Sequence, residues 1–436
     1  MKHIKFYGSV FTTKITLLIS TFIFVSNTVA LEPRFIDNCE AFNLSSKCIP
    51  PKKTITPKPV PPRSNFIKDE VLLLYSSKDQ KSVIDVTKKY HLNPKSKVTL
   101  SSVKLGMIRA DTNGKNPLEL VNNISRQEKK VTASTNNTFS PAALDVSKQS
   151  PTDAYAMIET GVSTAHKTTK GNGILICMVD TPVDIFHPSL ATALIETLDL
   201  IDFNPKNLDT QIHGTSVAGL LVSQNEHIGI APKAKLFAIS AFSTTKKRPH
   251  VLQGTSADVA KALDRCITQK ADVINLSFTG GKDDLVERMV NKAIAQGITV
   301  VAAGGNGGHW GSTVYPALIP GVITATAVDQ YKHLYPLANK GRFIDFSAPG
   351  VNVLTIAPGG KYNIASGTSL STAHVSGIVA LLLSKQKRLQ QAGKVENILT
   401  KTAIDLGKPG RDQEFGEGLI SANRALSFLT VVKKPK

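Results

Sequence analysis

Ile174-Leu175-Ile176-Cys177-Met178-Val179-Asp180 is the stretch on which the fold turns. Six apolar residues in a row, without polar alternation, describe a strand covered on both faces. The chain around it repeats the theme. Residues 234–239, 273–276, 298–303 and 322–328 read as further apolar strands, and residues 215–222, 256–269, 284–296 and 372–384 carry helical patterns. Strands alternating with helices predict an α/β fold over residues 141–436: a doubly wound, mostly parallel sheet with helices on both faces.

Ahead of this body lies a different pattern. Residues 71–75 read as a strand, 82–90 as a helix, 98–110 as one or two strands, 118–126 as a helix and 130–134 as extended chain. That β-α-β-β-α-β order predicts a small α+β, ferredoxin-like domain over residues 64–140. Residues 135–150 are polar and loop-like, suited to proteolytic nicking. Residues 31–63 form a Cys-bearing, Pro-rich segment, and the part from 49 to 63 is rich in Pro and Lys with no apolar period, as expected of an extended linker.

The first thirty residues have the three parts of a secretory signal. Lys2, Lys5 and Lys14 precede an apolar run from Ile15 to Val25, and small residues end at Ala30, where cleavage is expected. An anchor helix is the other reading, but the run is short for a membrane span. Export sets the expected location as extracellular, or periplasmic in a Gram-negative cell, with no stable membrane anchor once the signal is removed. Cys39 and Cys48 bracket a short loop and form a plausible disulfide in an oxidising compartment. Cys177 and Cys266 sit in apolar patterns and are expected to be buried free thiols.

The net charge of +19 invites a nucleic-acid reading, but 23 of the 52 Lys and Arg fall in the first 150 residues against 11 of the 33 Asp and Glu. The basic excess follows the export, linker and small-domain segments, and no aromatic-interleaved basic stripe exists, so no nucleic-acid partner is expected. The chain has no Cys-x-x-Cys pair and no His-Glu-x-x-His, which removes zinc ribbons and zincins from consideration.

Three segments carry chemistry. Asp180 ends a buried strand, where a carboxylate is held rigidly enough to accept an imidazole N–H. His213-Gly214-Thr215-Ser216-Val217-Ala218-Gly219 opens a helix. Ser366-Gly367-Thr368-Ser369-Leu370-Ser371-Thr372-Ala373-His374-Val375 opens an apolar helix, so that Ser369 lies in the positive field of its N-terminus beside free backbone N–H groups. Singly, each residue has a structural explanation: His213 as a satisfied core histidine, Ser369 as an N-cap, Asp180 as a turn cap.

Together, in the order Asp…His…Ser, the three segments resemble the signatures of the subtilisin-like serine peptidases. Val300-Val301-Ala302-Ala303-Gly304-Gly305-Asn306-Gly307 is similar to the family's oxyanion segment, and Asp272-Val273-Ile274-Asn275-Leu276-Ser277 to its cleft-lining strand. Tyr315-Pro316-Ala317, Ser347-Ala348-Pro349-Gly350 and Phe415-Gly416-Glu417-Gly418 follow in family order. The resemblance implies Asp180, His213 and Ser369 as the catalytic set, Asn306 as oxyanion donor, and Ser277, Phe278, Thr279 and Gly280 as the substrate-binding edge. It also implies that the small domain is an inhibitory propeptide of a self-processing zymogen, cut somewhere in residues 135–150. The expected partners are a protein or peptide substrate and the chain's own propeptide, with a monomer as the default state. No cofactor is required by the chemistry. Structural calcium is common in the family, but no ligand set can be assembled from these residues. His187, His374 and Asp184 match family positions and read as structural.

This chain departs from the family pattern at Pro182 and Thr279, where Gly is usual, and at Ala373, where Pro is usual. The Gly-x-Ser-x-Gly elbow of α/β-hydrolases is absent, which argues against a lipase or esterase of that type. The rival expectation is a catalytically impaired relative that uses the same scaffold as a binding module.

Overall fold

A computed structural model describes residues 66–147, 155–245, 248–308, 314–390 and 393–431. The expected signal segment, the expected linker and the expected Cys39–Cys48 pairing lie outside them.

The N-terminal region runs β1 (Phe66–Ser76), α1 (Gln80–Lys89), β2 (Asn93–Leu100), β3 (Leu105–Asp111), α2 (Pro117–Gln127) and β4 (Val131–Pro141). All pairings are antiparallel, in the spatial order β2-β3-β1-β4. Asn116 caps α2 through its side chain, with Pro117 in the first turn, where a missing N–H is harmless. The apolar run of β1 is divided by the strand's two-residue period. Val71, Leu73 and Tyr75 face Val83, Ile124 and Ala133 in a local core, whereas Leu72 and Leu74 join a core that extends into the body.

The body follows β5 (Asp145–Ser147) with α3 (Tyr155–Glu159), α4 (Val162–Ala165), β6 (Leu175–Asp180), β7 (Leu194–Asp199), α5 (Ile212–Val222) and β8 (Lys235–Ser240). Next come β9 (Ser243–Thr245), β10 (Arg248–Thr255), α6 (Ser256–Thr268), β11 (Val273–Leu276), β12 (Phe278–Gly280), α7 (Asp284–Ala295), β13 (Thr299–Ala303) and β14 (Ile323–Val328). The chain closes with β15 (Phe346–Pro349), β16 (Val353–Ala357), β17 (Lys361–Ser366), α8 (Thr368–Lys385), α9 (Lys394–Thr402) and α10 (Ala422–Val431).

The main sheet is parallel throughout, in the order β15-β14-β13-β11-β6-β8-β7. Its strands are buried on both faces, apart from the edge strand β7, which is largely exposed. Ile176 and Met178 pack among α5 and α8, and Cys177 and Val179 among α6 and α7. This is the α/β architecture that the apolar runs predict. From β6 the chain moves first toward β8 and β7, then reverses toward β11, β13, β14 and β15. A crevice therefore opens at the carboxyl ends of β6 and β11, where such a sheet reverses direction.

Two expectations are corrected. Residues 135–150 read as a loop, yet Thr135–Pro141 continue β4 and Asp145–Ser147 form β5, because strand edges of the body pair with them. The second concerns the cysteines. Cys177 and Cys266 are joined in a disulfide with a Cα–Cα distance of 5.6 Å. Both belong to the core between the sheet and α6. Eighty-nine residues separate them in sequence, and neither local pattern reveals that α6 crosses over β6 at this point. Helix α8 also begins at Thr368, ahead of the apolar period. Its first turn is buried because side-chain hydroxyls find backbone acceptors: Ser371 donates to the Ala348 carbonyl (3.0 Å) and Thr372 to that of Thr368 (2.7 Å).

Candidate active site

Three elements converge at the crevice. Asp180 is the last residue of β6, His213 lies in the first turn of α5 and Ser369 in the first turn of α8. All three are buried. Helix α5 approaches β6 closely enough that a Cβ on Gly214 would stand 2.3 Å from the Thr181 carbonyl oxygen, so only glycine fits beside the histidine. The Gly214 N–H donates to the Thr181 hydroxyl at 2.8 Å, which ties the two segments together.

His213 Nδ1 lies 2.6 Å from Asp180 Oδ1, and Nε2 lies 2.9 Å from Ser369 Oγ. The same Asp180 oxygen accepts the Thr181 N–H at 2.7 Å. With Nδ1–H donated to the carboxylate, Nε2 is left as the acceptor that faces the serine hydroxyl. This geometry stands with Pro182 in the turn that follows.

Asn306 follows β13. Its Oδ1 accepts from the Thr368 N–H (3.0 Å) and hydroxyl (2.8 Å). Those two bonds fix the amide so that Nδ2 points into the crevice. Thr368 in turn accepts the Gly305 N–H at 3.1 Å. Below them, Asn275 donates to Ser277 Oγ (2.9 Å) and accepts from Ser376 (2.9 Å), while Ser277 donates to the Ser369 carbonyl (3.1 Å). Strand β11 and helix α8 are thus locked by a satisfied polar network directly under the serine.

The crevice is filled by the chain itself. Strand β4 is eleven residues long and changes partners midway. Val131–Thr135 pair with β1, whereas Thr138–Pro141 pair antiparallel with β10 and β12 of the body. Pro141, Ser140 and Phe139 lie opposite Phe278, Thr279 and Gly280, the four-residue edge predicted from sequence less its first member. That first member, Ser277, accepts the Ala142 N–H at 3.0 Å. Asn306 Nδ2 donates to the Ala143 carbonyl at 2.7 Å. Beyond, β5 pairs antiparallel with β17, Asp145 opposite Ser366.

His374 lies one helical turn after Leu370, whose carbonyl accepts Nδ1–H at 2.9 Å. Complete burial lowers its pKa to about 4. It stays neutral and structural. His187 and Asp184 likewise hold backbone groups, the first at Ser189 and Lys361 and the second at Gly359. Among the described residues, no group of three or more His, Cys, Asp or Glu is placed to hold a metal ion, and no helix is long and apolar enough to cross a membrane.

Sequence reasoning missed the orienting role of Thr368 and the occupants Phe139, Ala142 and Ala143. A usable signal existed: Phe139 is a lone aromatic in a polar run, followed by Ser-Pro-Ala-Ala, between two predicted domains.

Residues 171–418 match the model of the subtilase family. The thermophilic serine proteinase of Bacillus sp. (strain AK1) is 33% identical over 282 residues, covering 63% of this chain and 67% of that protein. Subtilisin of Bacillus pumilus is 33% identical over 262 residues, covering 58% of this chain and 91% of that protein. The chain spans about two thirds of the length of most of the curated relatives it matches. Among solved structures, fervidolysin from Fervidobacterium pennivorans, a keratinolytic enzyme related to subtilisin, shares the fold with a TM-score of 0.71 at 22% identity, covering 83% of this chain and 61% of that one.

Proposed function

The chain belongs to the subtilase family of subtilisin-like serine peptidases, and on that premise we propose that it is a secreted serine endopeptidase made as a self-processing zymogen. The observation that carries this reading is the unbroken relay Asp180–His213–Ser369, with Ser369 Oγ 2.9 Å from a peptide carbonyl oxygen.

In this reading Ser369 is the nucleophile. Its hydroxyl attacks poorly at neutral pH, so His213 Nε2 takes the proton as the bond forms and then delivers it to the leaving amine. Asp180 keeps Nδ1–H in place and stabilises the imidazolium that develops. The Asn306 amide, aimed by Thr368, stabilises the oxyanion. The strand edge at Ser277–Gly280 holds the substrate extended by main-chain pairing. Residues 66–141 act as the intramolecular inhibitor, since their last strand already occupies that edge. Buried neutral His374 and the buried network under Ser369 hold α8 rigid while the proton moves.

A fluorophosphonate probe tests the assignment. The mature protein is expected to label on Ser369, and Ser369→Ala to abolish labelling while retaining the fold by circular dichroism. A folded, propeptide-free sample that does not label overturns it in favour of a non-catalytic binding module.

A further inference from the structure

We infer that the bond this protein cuts in itself is Ala142–Ala143. The inference rests on the peptidase reading and gives that site its substrate.

The register selects the bond. The β4–β12 ladder places Phe139, Ser140 and Pro141 opposite Gly280, Thr279 and Phe278, and the Ala142 N–H continues it onto the Ser277 carbonyl at 3.0 Å. The next group along is the Ala142 carbonyl. Its oxygen lies 2.9 Å from Ser369 Oγ and 3.1 Å from His213 Nε2. Past Leu144 the chain is held again, by β5 on β17. Two paired segments therefore stretch the chain across the nucleophile and leave only the Ala142 carbonyl, Ala143 and Leu144 outside the ladders.

Two carbonyls compete within that gap. The Ala143 oxygen takes the Asn306 amide at 2.7 Å, but Ala143 is exposed and outside the ladders, whereas Ala142 is buried and locked to Ser277. The ladder, which fixes four consecutive residues, decides for Ala142. The Ser369 hydroxyl has one proton and faces three acceptors: His213 Nε2, the Ala142 oxygen and the Ser277 oxygen at 3.1 Å. A turn of the Ala142–Ala143 peptide plane moves the Ala142 oxygen to Asn306 and frees the hydroxyl for His213. Oγ then bonds to the Ala142 carbonyl carbon and the C–N bond to Ala143 breaks. The serine proton passes through His213 to the Ala143 nitrogen, and water later releases the Ala142 carboxylate from the ester.

Phe139 supplies the anchor. Its ring is buried edge-on to Phe278, with centroids 5.8 Å apart, and Phe278 packs against Phe242 at 5.0 Å. The pocket floor is Gly280, where a Cβ would stand 2.2 Å from the Phe139 ring. An aromatic fits because that Cβ is missing.

The full chain is expressed, and the new N-terminus of the mature form is read by sequencing and intact mass. Ala143 is expected; Leu144 or any other start overturns the assignment. The mature enzyme is then given a quenched peptide containing Phe-Ser-Pro-Ala-Ala-Leu. It is expected to be cut between the alanines, and a cut at any other bond of the peptide overturns the assignment. Fluorophosphonate labelling of the same sample separates the two levels: labelling with the wrong N-terminus sinks this inference alone, and no labelling sinks the peptidase reading.

Discussion

In the peptidase body, α5 and α8 bury nearly all their residues among strands of that same body, while in the N-terminal domain only one face of β1 meets the domain's own helices. The other face, Leu72 and Leu74, shares a core with α6 and α7, as do Leu100 and Met107. Polar ties follow the same boundary. Asp264 on α6 accepts both the N–H (2.7 Å) and the hydroxyl (2.6 Å) of Ser102, and Asn137 reaches Asp283 at 2.9 Å. Burial raises the Asp283 carboxyl above its usual range, against the hydrogen bonds from Ser256, Val286 and Asn137. The body closes its own core; the small domain completes its core on a neighbour. That difference suits the inhibitor role proposed for the small domain, which requires it to fold on the body and then leave it.

The sharpest way to break this contrast is to stop the proposed self-cleavage. Ser369→Ala should keep the chain at full length on a gel and lower peptide hydrolysis by roughly 10⁴-fold or more, a magnitude taken from subtilisin, the standard case for this triad. Processing at the normal rate would remove Ser369 from the chemistry. The next effect lies within the body. Replacing Cys177 and Cys266 with Ala opens a link across 89 residues and should lower the unfolding free energy by about 3–5 kcal/mol in a urea titration. A change confined to the small domain would contradict the placement of this bridge in the body's core.

Acid distinguishes the regions next. The pKa of His374 is depressed to about 4 by burial, so the unfolded chain binds a proton that the folded body refuses. Its contribution to stability is present above the unfolded value of 6.5 and is lost as pH falls toward 4. The expected loss is roughly 3 kcal/mol, read as a falling denaturant midpoint and removed in a folded His374→Asn variant. The smallest effect is at the seam. Asp264→Ala, made in the uncut Ser369→Ala background, should lower the opening free energy of the small domain by about 1–2 kcal/mol in hydrogen exchange. Protection of β6 and β11 should be unchanged, and an equal loss there would mean that the two regions open as one.

Much of this was legible in the residues. Apolar runs such as 174–179 need cover on both faces, so they announce a parallel sheet without knowledge of its strand order. Asp180, His213 and Ser369 stood out because each falls at a strand end or helix start near small residues, whereas Asn306 was indicated only by the family resemblance of its segment. Local patterns could not supply the Cys177–Cys266 bridge, the hold of Thr368 on Asn306, or the change of partner within β4. The continuous run Val71-Leu72-Leu73-Leu74-Tyr75 did carry a hint. A strand of a small antiparallel sheet with both faces apolar requires a partner on each side.

The sequence by itself determined which segments become strands and helices, and which residue types stand at their ends, because burial and backbone conformation act over a few neighbouring residues. Only the tertiary structure decided which segment enters the crevice and in what register. That outcome depends on β4 pairing with β1 along one half and with β10 and β12 along the other, contacts between residues more than fifty positions apart in the first case and more than a hundred in the second. A shift of one residue there would exchange the buried and exposed faces of Phe139 and bring a different carbonyl to Ser369.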